Sequence, residues 1–304
     1  MYAPGHAPAA WRQGRPCWDQ RVTGTLYLVP VPIGNPADIT LRALETLRSV
    51  DLVAAEDTRH FLTLQRAHGL TARSISLHDH NEAARVPELV ALMQQGTSVA
   101  VVSDAGTPVL SDPGYRLVLA TIEAGIGVIS LPGASAITTS LAGSALPPVP
   151  FRFCGFPPRA AGPRMSFYQG LSADPATLVL FEAPHRLLAS LRDAQAALGN
   201  RSACLARNLT KPHERYLRGT LATLIVGLQA EGTVRGECTV LIAGASRELQ
   251  RQGRAASVAE AADAATILLA KGAPPRAVTA LLTTTFGLSR RKAYEIAHRR
   301  GGQE

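Results

Sequence analysis

Cysteine is scarce in this chain. Only Cys17, Cys154, Cys204 and Cys238 occur in 304 residues, and none forms a CxxC pair. That spacing argues against a zinc ribbon or a disulfide framework and suits a reducing cytoplasm. Long apolar runs are also missing: the best candidate for a bilayer span, Ile129 to Phe151, is interrupted by Pro132, Pro147, Pro148 and Pro150. Residues 1–23 lack an apolar signal-peptide core and contain Pro4, Gly5, Pro8, Gly14 and Pro16, so they read as a loose, disordered tail. No loop carries GxGxxG or GxxxxGK[ST]. This argues against NAD oxidoreductases, P-loop enzymes and methyltransferases with the common Gly-rich first loop.

What is present is ample material for a core, with 46% hydrophobic and 18% charged residues, over a length that predicts two compact domains. The net charge of +8 is unevenly spread: 3 basic against 1 acidic residue over 1–23, 18 against 17 over 24–246, and 10 against 5 over 247–304. A neutral body with a basic appendage suits a small-molecule machine whose tail is drawn to polyanions, although simple solubility would look the same.

From Gly24 onward, short β-branched or Leu-rich runs alternate with amphipathic segments. Strands are predicted over 25–31, 51–55, 73–77, 98–103 and 127–131, with helices over 39–49, 59–68, 82–95 and 113–124 between them. Such alternation predicts parallel strands with crossover helices. Pro132-Gly133 interrupts the pattern; a small-residue helix over 134–144 follows, and Pro147-Pro148 interrupts it again. The expected division is an N-terminal α/β domain over 24–133, a second over 134–246, and a basic linker with a helical extension over 247–304. Strands over 151–155, 177–182, 203–208, 214–219 and 237–243 and helices over 163–170, 184–198 and 220–231 make up the second unit. Two of its strands follow one another around Lys211-Pro212, predicting a hairpin and a mixed sheet. After a charged linker over 246–254, helices over 258–270, 275–286 and 289–299 complete the chain, the last two in a helix-turn-helix-like spacing across Gly287-Leu288.

Ligands of open α/β sheets collect beyond the carboxyl ends of the strands. Three loops there combine rigid Pro, permissive Gly and small side chains: 32–36, 103–114 and 132–136. Each alone is an ordinary turn; three at one sheet edge point to a binding site.

Motifs then accumulate in order: Val29-Pro-Val-Pro-Ile-Gly-Asn35, Ala55-Glu-Asp-Thr-Arg59, His78-Asp-His-Asn-Glu82, Ser103-Asp-Ala-Gly-Thr-Pro108, Ser111-Asp-Pro-Gly114, Pro132-Gly-Ala-Ser-Ala136, Glu182-Ala-Pro-His-Arg186 and Leu209-Thr-Lys211. Over residues 24–244 the chain resembles the tetrapyrrole methylase superfamily, in the branch that methylates a cytidine 2′-oxygen of 16S ribosomal RNA. The resemblance implies a two-domain α/β fold with a mostly parallel and a mixed sheet, a small helical extension and a homodimer. It further implies S-adenosylmethionine in the cleft between the domains, and a ribose in the decoding region of the small ribosomal subunit as substrate. Carried over by position, the cofactor would meet Pro32, Gly34 and Asn35, then Ser103, Asp104, Ala105, Gly106, Thr107 and Pro108, and lastly Pro132, Gly133, Ser135 and Ala136. The chain departs from the family pattern in carrying Asn208, where relatives have Glu, and an amide cannot serve as a base.

Methyl transfer from a sulfonium needs no metal and little help for its leaving group, but it needs in-line alignment and gains from an acceptor for the hydroxyl proton. Glu56, Asp57, Glu182 and His185 are the candidates, with Asp57, Glu182 and His185 taken as catalytic. Equally plain readings compete: Asp57 as a helix cap paired with Arg59, and Glu182 in a satisfied pair with Arg186. The helix predicted after Pro184 offers an N-terminus, with His185 and Arg186, for a phosphate or the cofactor carboxylate. His78 and His80 invite a metal reading, but side chains alternating at a strand end point apart, so substrate contact or capping by His78, His80 and Asn81 is favoured and no metal is expected. Arg59, Arg186, Arg207 and Lys211, with His213 and Arg215 nearby, form the RNA-contact set of the body. Arg290 and Arg291, with Lys292, Arg299 and Arg300, form that of the tail. The rival functions are methylation of a small tetrapyrrole and a non-catalytic ribosome-binding factor.

Overall fold

The computed structural model describes residues 23–286 and 288–298; the expected N-terminal tail up to residue 22, together with Gly287, Arg299 and Arg300, lies outside them. The first sheet contains β1 (Thr25–Leu28), β2 (Leu52–Ala55), β3 (Ser74–Ser76), β4 (Val99–Val102) and β5 (Gly127–Ser130), all parallel in the order β3-β2-β4-β1-β5. Helices α1 (Leu41–Ser49), α2 (Thr58–His68), α3 (Glu82–Gln94) and α4 (Tyr115–Glu123) are the crossovers. Every residue of β2 and β4 is buried. Their side chains divide by the period of two: Val53, Ala55, Ala100 and Val102 pack with α1 and α2, while Leu52, Ala54, Val99 and Val101 pack with α3 and α4. Thr40 caps α1 through Ala43 N at 3.0 Å, and Gly69 closes α2 in the left-handed conformation.

Helix α5 (Ala136–Gly143) leads to the second sheet, formed by β6 (Phe151–Phe153), β7 (Thr177–Glu182), β8 (Ser202–Arg207), β9 (Arg215–Thr220) and β10 (Cys238–Ile242). Its order is β6-β7-β10-β8-β9, with β6 parallel to β7 and every other pairing antiparallel. The mixed sheet and the β8–β9 hairpin agree with the sequence reading. Helices α6 (Ala161–Gly170), α7 (Leu187–Leu198) and α8 (Leu221–Glu231) cover one face, burying Leu178, Leu180, Leu205, Val240 and Ile242.

The opposite face is covered by the first half of the chain. Ile33, from the loop after β1, joins Ile137 and Leu141 of α5 against Val179, Cys204, Ala206 and Leu241. Burying a side chain of that size stabilises by about 1.5–3 kcal/mol, so Ile33 fastens one sheet's loop into the other sheet's core.

Two expectations are corrected. The region read as a charged linker is helical, because α9 (Arg247–Ala270) already begins at Arg247; its Ala, Arg, Glu and Gln favour helix, and a lone Gly253 costs only about 1 kcal/mol. Pro184 is not in the first turn of a helix: α7 begins at Leu187, and 184–186 form the turn before it. With α10 (Pro275–Phe286) and α11 (Arg290–Ala297), α9 builds a separate small core around Ala261, Ala265, Val278, Leu282, Ala293 and Ile296. Among the described residues no helix is long and apolar enough to cross a membrane.

Candidate active site

The loops after β1, β4 and β5 meet the carboxyl end of β7 and the start of β10 around one crevice. Val31 and Gly106 exchange backbone hydrogen bonds of 2.9 and 3.0 Å, which tie the first loop to the second. Gly106 has φ +80°, a conformation that a side chain would strain. Thr107 donates to Ala134 O at 3.2 Å, tying the second loop to the third. The first loop also reaches the second domain, where Asn35 N donates to Thr210 Oγ1 at 3.0 Å. Gly34 allows this approach: a Cβ there would lie 2.7 Å from Leu209 O and 2.9 Å from Thr210 Oγ1.

The crevice holds two adjoining cavities. One of about 380 Å³ is lined by Ala105, Gly106, Thr107, Leu110, Ser111 and Asp112, by Ser135, Ala136 and Ile137, and by Phe156, Phe181, Glu182, Ala183 and Pro184, closed by residues 236–239. The other, about 470 Å³, is lined by Pro32, Gly34, His60, Ser103, Asp104 and Lys211 among others, and both share Ile33, Ala105 and Glu237. These volumes suit small organic ligands. Of the residues expected to hold the cofactor, Asn35, Pro108, Pro132 and Gly133 do not line either cavity. Asn35 joins the domains through Thr210, and Gly133 abuts Pro30, where a Cβ would come within 2.5 Å of the ring.

Asp104, Asp112, Glu182 and Glu237 line the cavities, whereas Glu56 and the catalytic candidate Asp57 line neither, and the acids fall into distinct roles. Asp57 caps α2 through Arg59 N at 2.8 Å and forms an ion pair of 2.6 Å with the Arg59 guanidinium. That bonding holds its carboxyl well below the usual range, so it is a weak base. Glu56 accepts from Asp104 N at 3.1 Å; burial raises its pKa, and the carboxylates of Asp104, Asp79 and Asp57 add to the shift. Asp112 is pushed up to about 7 by burial and by repulsion from Glu56, Asp104 and Asp79. Glu182 is 3% exposed; its Oε1 lies 3.2 Å from Arg186 Nε and accepts from Ala183 N, while Oε2 is buried without a hydrogen-bond partner. His185 is exposed in the turn that follows and does not line either cavity.

The donor set fits a cationic, partly apolar cofactor such as the sulfonium that the resemblance implies. Leu110, Phe156 and Phe181 offer apolar walls, Asp112 a carboxyl, and Glu182 Oε2 a buried acceptor without a partner in the wall of the first cavity.

Other expected contacts are placed differently. Residues 79–81 form a turn and not a strand end, so the rings of His78 and His80 come together edge to face with centroids 6.0 Å apart, instead of pointing apart. Asn81 accepts from His78 N at 2.9 Å and donates to Ser76 O at 3.2 Å, holding that turn. Arg207 leaves the RNA-facing set: it is 6% exposed, and its guanidinium is committed to Glu231 at 2.7 Å. Lys211 lines the second cavity and pairs with Glu237 at 2.7 Å. Asn208 has φ +52° and accepts from Glu237 N at 3.2 Å, a left-handed turn position that Asn tolerates better than Glu. Arg290 and Arg291 lie on α11, exposed and remote in sequence from the crevice.

Asp112 lies within the Ser111-Asp-Pro-Gly114 motif but has no role assigned from the sequence. A carboxylate fixed between Pro and Gly corners beside other acids was the available signal. Nor was a role assigned to Glu82, which is 6% exposed and receives Gly114 N at 3.0 Å, so that α3 holds the far end of the loop after β4. The aromatic walls carried no local signal, because β6, β7 and the segment after them converge only in three dimensions.

Residues 25–225 match the family described as tetrapyrrole (corrin/porphyrin) methylases. The chain belongs to this family. Among curated relatives it is 48% identical over 277 residues to a ribosomal RNA small subunit methyltransferase I of Micromonospora olivasterospora, covering 91% of this chain and 87% of that one. It is 46% identical to the protein of the same name in Synechocystis, covering 90% and 97%. Solved structures share the fold. Cobalt precorrin-4 methyltransferase aligns with TM-score 0.54 at 19% identity, covering 79% of this chain and 98% of that one. A diphthine synthase aligns with TM-score 0.55 at 16% identity, covering 75% and 94%.

Proposed function

We propose that this methylase acts on ribosomal RNA of the small subunit, transferring a methyl group from S-adenosylmethionine to the 2′-oxygen of a cytidine ribose in the decoding region of 16S RNA. The reading includes a cytoplasmic site of action and a homodimer. The observation that carries it is the shared crevice, where the loops of one sheet and the strand ends of the other enclose acids and an unfilled buried acceptor. The names of the relatives supply the acceptor class.

When bound, the cofactor supplies an electrophilic methyl group on a cationic sulfur with a neutral leaving group. The protein's part is positioning, worth roughly 7–11 kcal/mol where reacting atoms are aligned, and management of one proton. Ala105, Gly106, Thr107, Ser135 and Ala136 are the small residues that let backbone approach the ligand in the first cavity. Glu182 offers Oε2 to a donor group of the ligand, held in place by Arg186, which also donates to Pro157 O. Asp112, with its carboxyl balanced near neutrality, is better matched to accept the ribose proton than Asp57, whose basicity Arg59 removes.

The test is transfer of labelled methyl from S-adenosylmethionine to small ribosomal subunits lacking the modification, with a porphyrinoid acceptor alongside. Label appearing on a cytidine ribose supports the proposal. Transfer to the porphyrinoid alone, or failure to bind S-adenosylmethionine with or without RNA, sinks it.

A further inference from the structure

The α9–α11 unit contains a third cavity, of about 550 Å³, formed between α10 and α11 and far in sequence from the crevice. Its walls are unlike those of the helical core below it. Arg276, Thr279 and Thr283 come from α10, and Arg290, Tyr294 and His298 from α11 and its end. The rings of Tyr294 and His298 stack with centroids 3.8 Å apart and planes inclined by 20°, yet Tyr294 is 56% exposed and the pair takes no part in the Ala261–Ala297 core. An exposed aromatic stack buries little and contributes little to folding.

The charges are divided just as unevenly. Arg291 and Lys292, on the same helix, share Glu295 at 3.2 and 3.3 Å, whose single negative charge offsets one of theirs. Arg276 and Arg290, which line the cavity, have no carboxylate within ion-pair distance among the described residues. Thr279 and Thr283 donate their hydroxyl protons to the carbonyls of Pro275 and Thr279, which leaves oxygen lone pairs as acceptors. Two unmatched guanidinium groups beside a flat aromatic face, with hydroxyl acceptors between them, present complementary chemistry to a phosphate, a base and a sugar in one place.

We infer that this groove is a nucleotide-binding site: it takes one unstacked base of single-stranded RNA on the Tyr294–His298 stack and its flanking phosphates on Arg276 and Arg290. The inference rests on the RNA-substrate reading above and adds a second point of attachment, separate from the crevice. Fixing a splayed nucleotide at the extension would hold the strand whose target ribose enters the crevice.

The test uses the full-length chain and a labelled single-stranded RNA of the decoding region, with binding measured over a range of salt. Tyr294→Ala should weaken binding about fivefold or more, and Tyr294→Phe should leave it nearly unchanged. Arg276→Gln combined with Arg290→Gln should reduce the slope of log Kd against log salt by about 1.4. S-adenosylmethionine binding should be unaltered in all three, which checks that the protein remains folded. An unchanged affinity in Tyr294→Ala, an unchanged salt slope in the double variant, or tighter binding to an acidic peptide than to RNA overturns the inference. Methyl transfer by a wild type whose RNA affinity ignores Tyr294 refutes the groove alone. Tyr294-dependent binding without any methyl transfer supports the groove and refutes the assigned reaction.

Discussion

Asp112→Asn tests the electrostatics of the crevice without disturbing its shape. In the folded chain burial, reinforced by Glu56, Asp104 and Asp79, moves the Asp112 carboxyl from 3.8 to about 7. The folded state therefore keeps a proton that the unfolded chain releases near pH 4, so stability falls as pH rises from about 4 to about 7 and levels off above that. A shift of about three units corresponds to about 4 kcal/mol, and partial solvation of this side chain reduces that to about 2 kcal/mol. Asparagine carries no charge to be disfavoured. The variant should match the wild type near pH 4 and exceed it by about 2 kcal/mol at pH 8, a rise in Tm of roughly 4–8 °C for a domain of this size. Calorimetric or urea unfolding at several pH values reads this difference. Parallel pH profiles for the two proteins, or a variant less stable than wild type at pH 8, would refute the reasoning.

Gly34→Ala places a methyl group 2.7 Å from Leu209 O and should cost about 1–3 kcal/mol in unfolding experiments while lowering methyl transfer, since the same contact joins the two domains. Arg207→Met removes the 2.7 Å partner of Glu231, which is left with Arg215 at 3.9 Å, and should destabilise by about 1–2 kcal/mol; RNA affinity per folded molecule should not change, as filter binding would report. Removal of residues 255–304 should lower RNA affinity and its salt slope and spare S-adenosylmethionine affinity, because the helical unit has its own core and the crevice has none of its residues.

The parallel sheet was readable because β2 and β4 are continuous apolar runs between amphipathic helices, and the hairpin because no helical pattern separates β8 from β9. The three corner loops were readable from Pro and Gly alone, and Gly34 and Gly106 do occupy places that a side chain would strain or block. Pairing was harder to see. Arg207 looked like one of a basic cluster, but strand alternation turns it inward, where it is neutralised by Glu231 of α8, 24 positions away. His78 and His80 looked divergent only while residues 78–82 were taken as an extended strand end; the turn held by Asn81 brings the rings together. Sequence spacing reports local geometry well and reports nothing about which distant charge completes a pair.

That distinction bears on how one chain could handle a cation and a polyanion. Lys211 in the crevice and Arg59 and Arg186 beside it each sit against a carboxylate, those of Glu237, Asp57 and Glu182. Asp104 and Asp79 lie close enough to Glu56 and Asp112 to add to the rise that burial gives those two carboxyls. The field left over is negative, which opposes ionisation of Asp112 in the free protein and favours a ligand bearing positive charge. In the extension the balance is reversed, since Glu295 engages Arg291 and Lys292, while Arg276 and Arg290 keep their charge at the groove. RNA would accordingly be attracted first to the helical unit and would enter the acidic crevice most readily once a cationic cofactor had offset its charge. The same electrostatics predict that cofactor and RNA bind with positive coupling, so saturating S-adenosylmethionine should tighten RNA binding, and a neutral thioether product should lose that advantage. Equal RNA affinity in the presence of the sulfonium and the thioether would show that charge in the crevice does not set the order of binding.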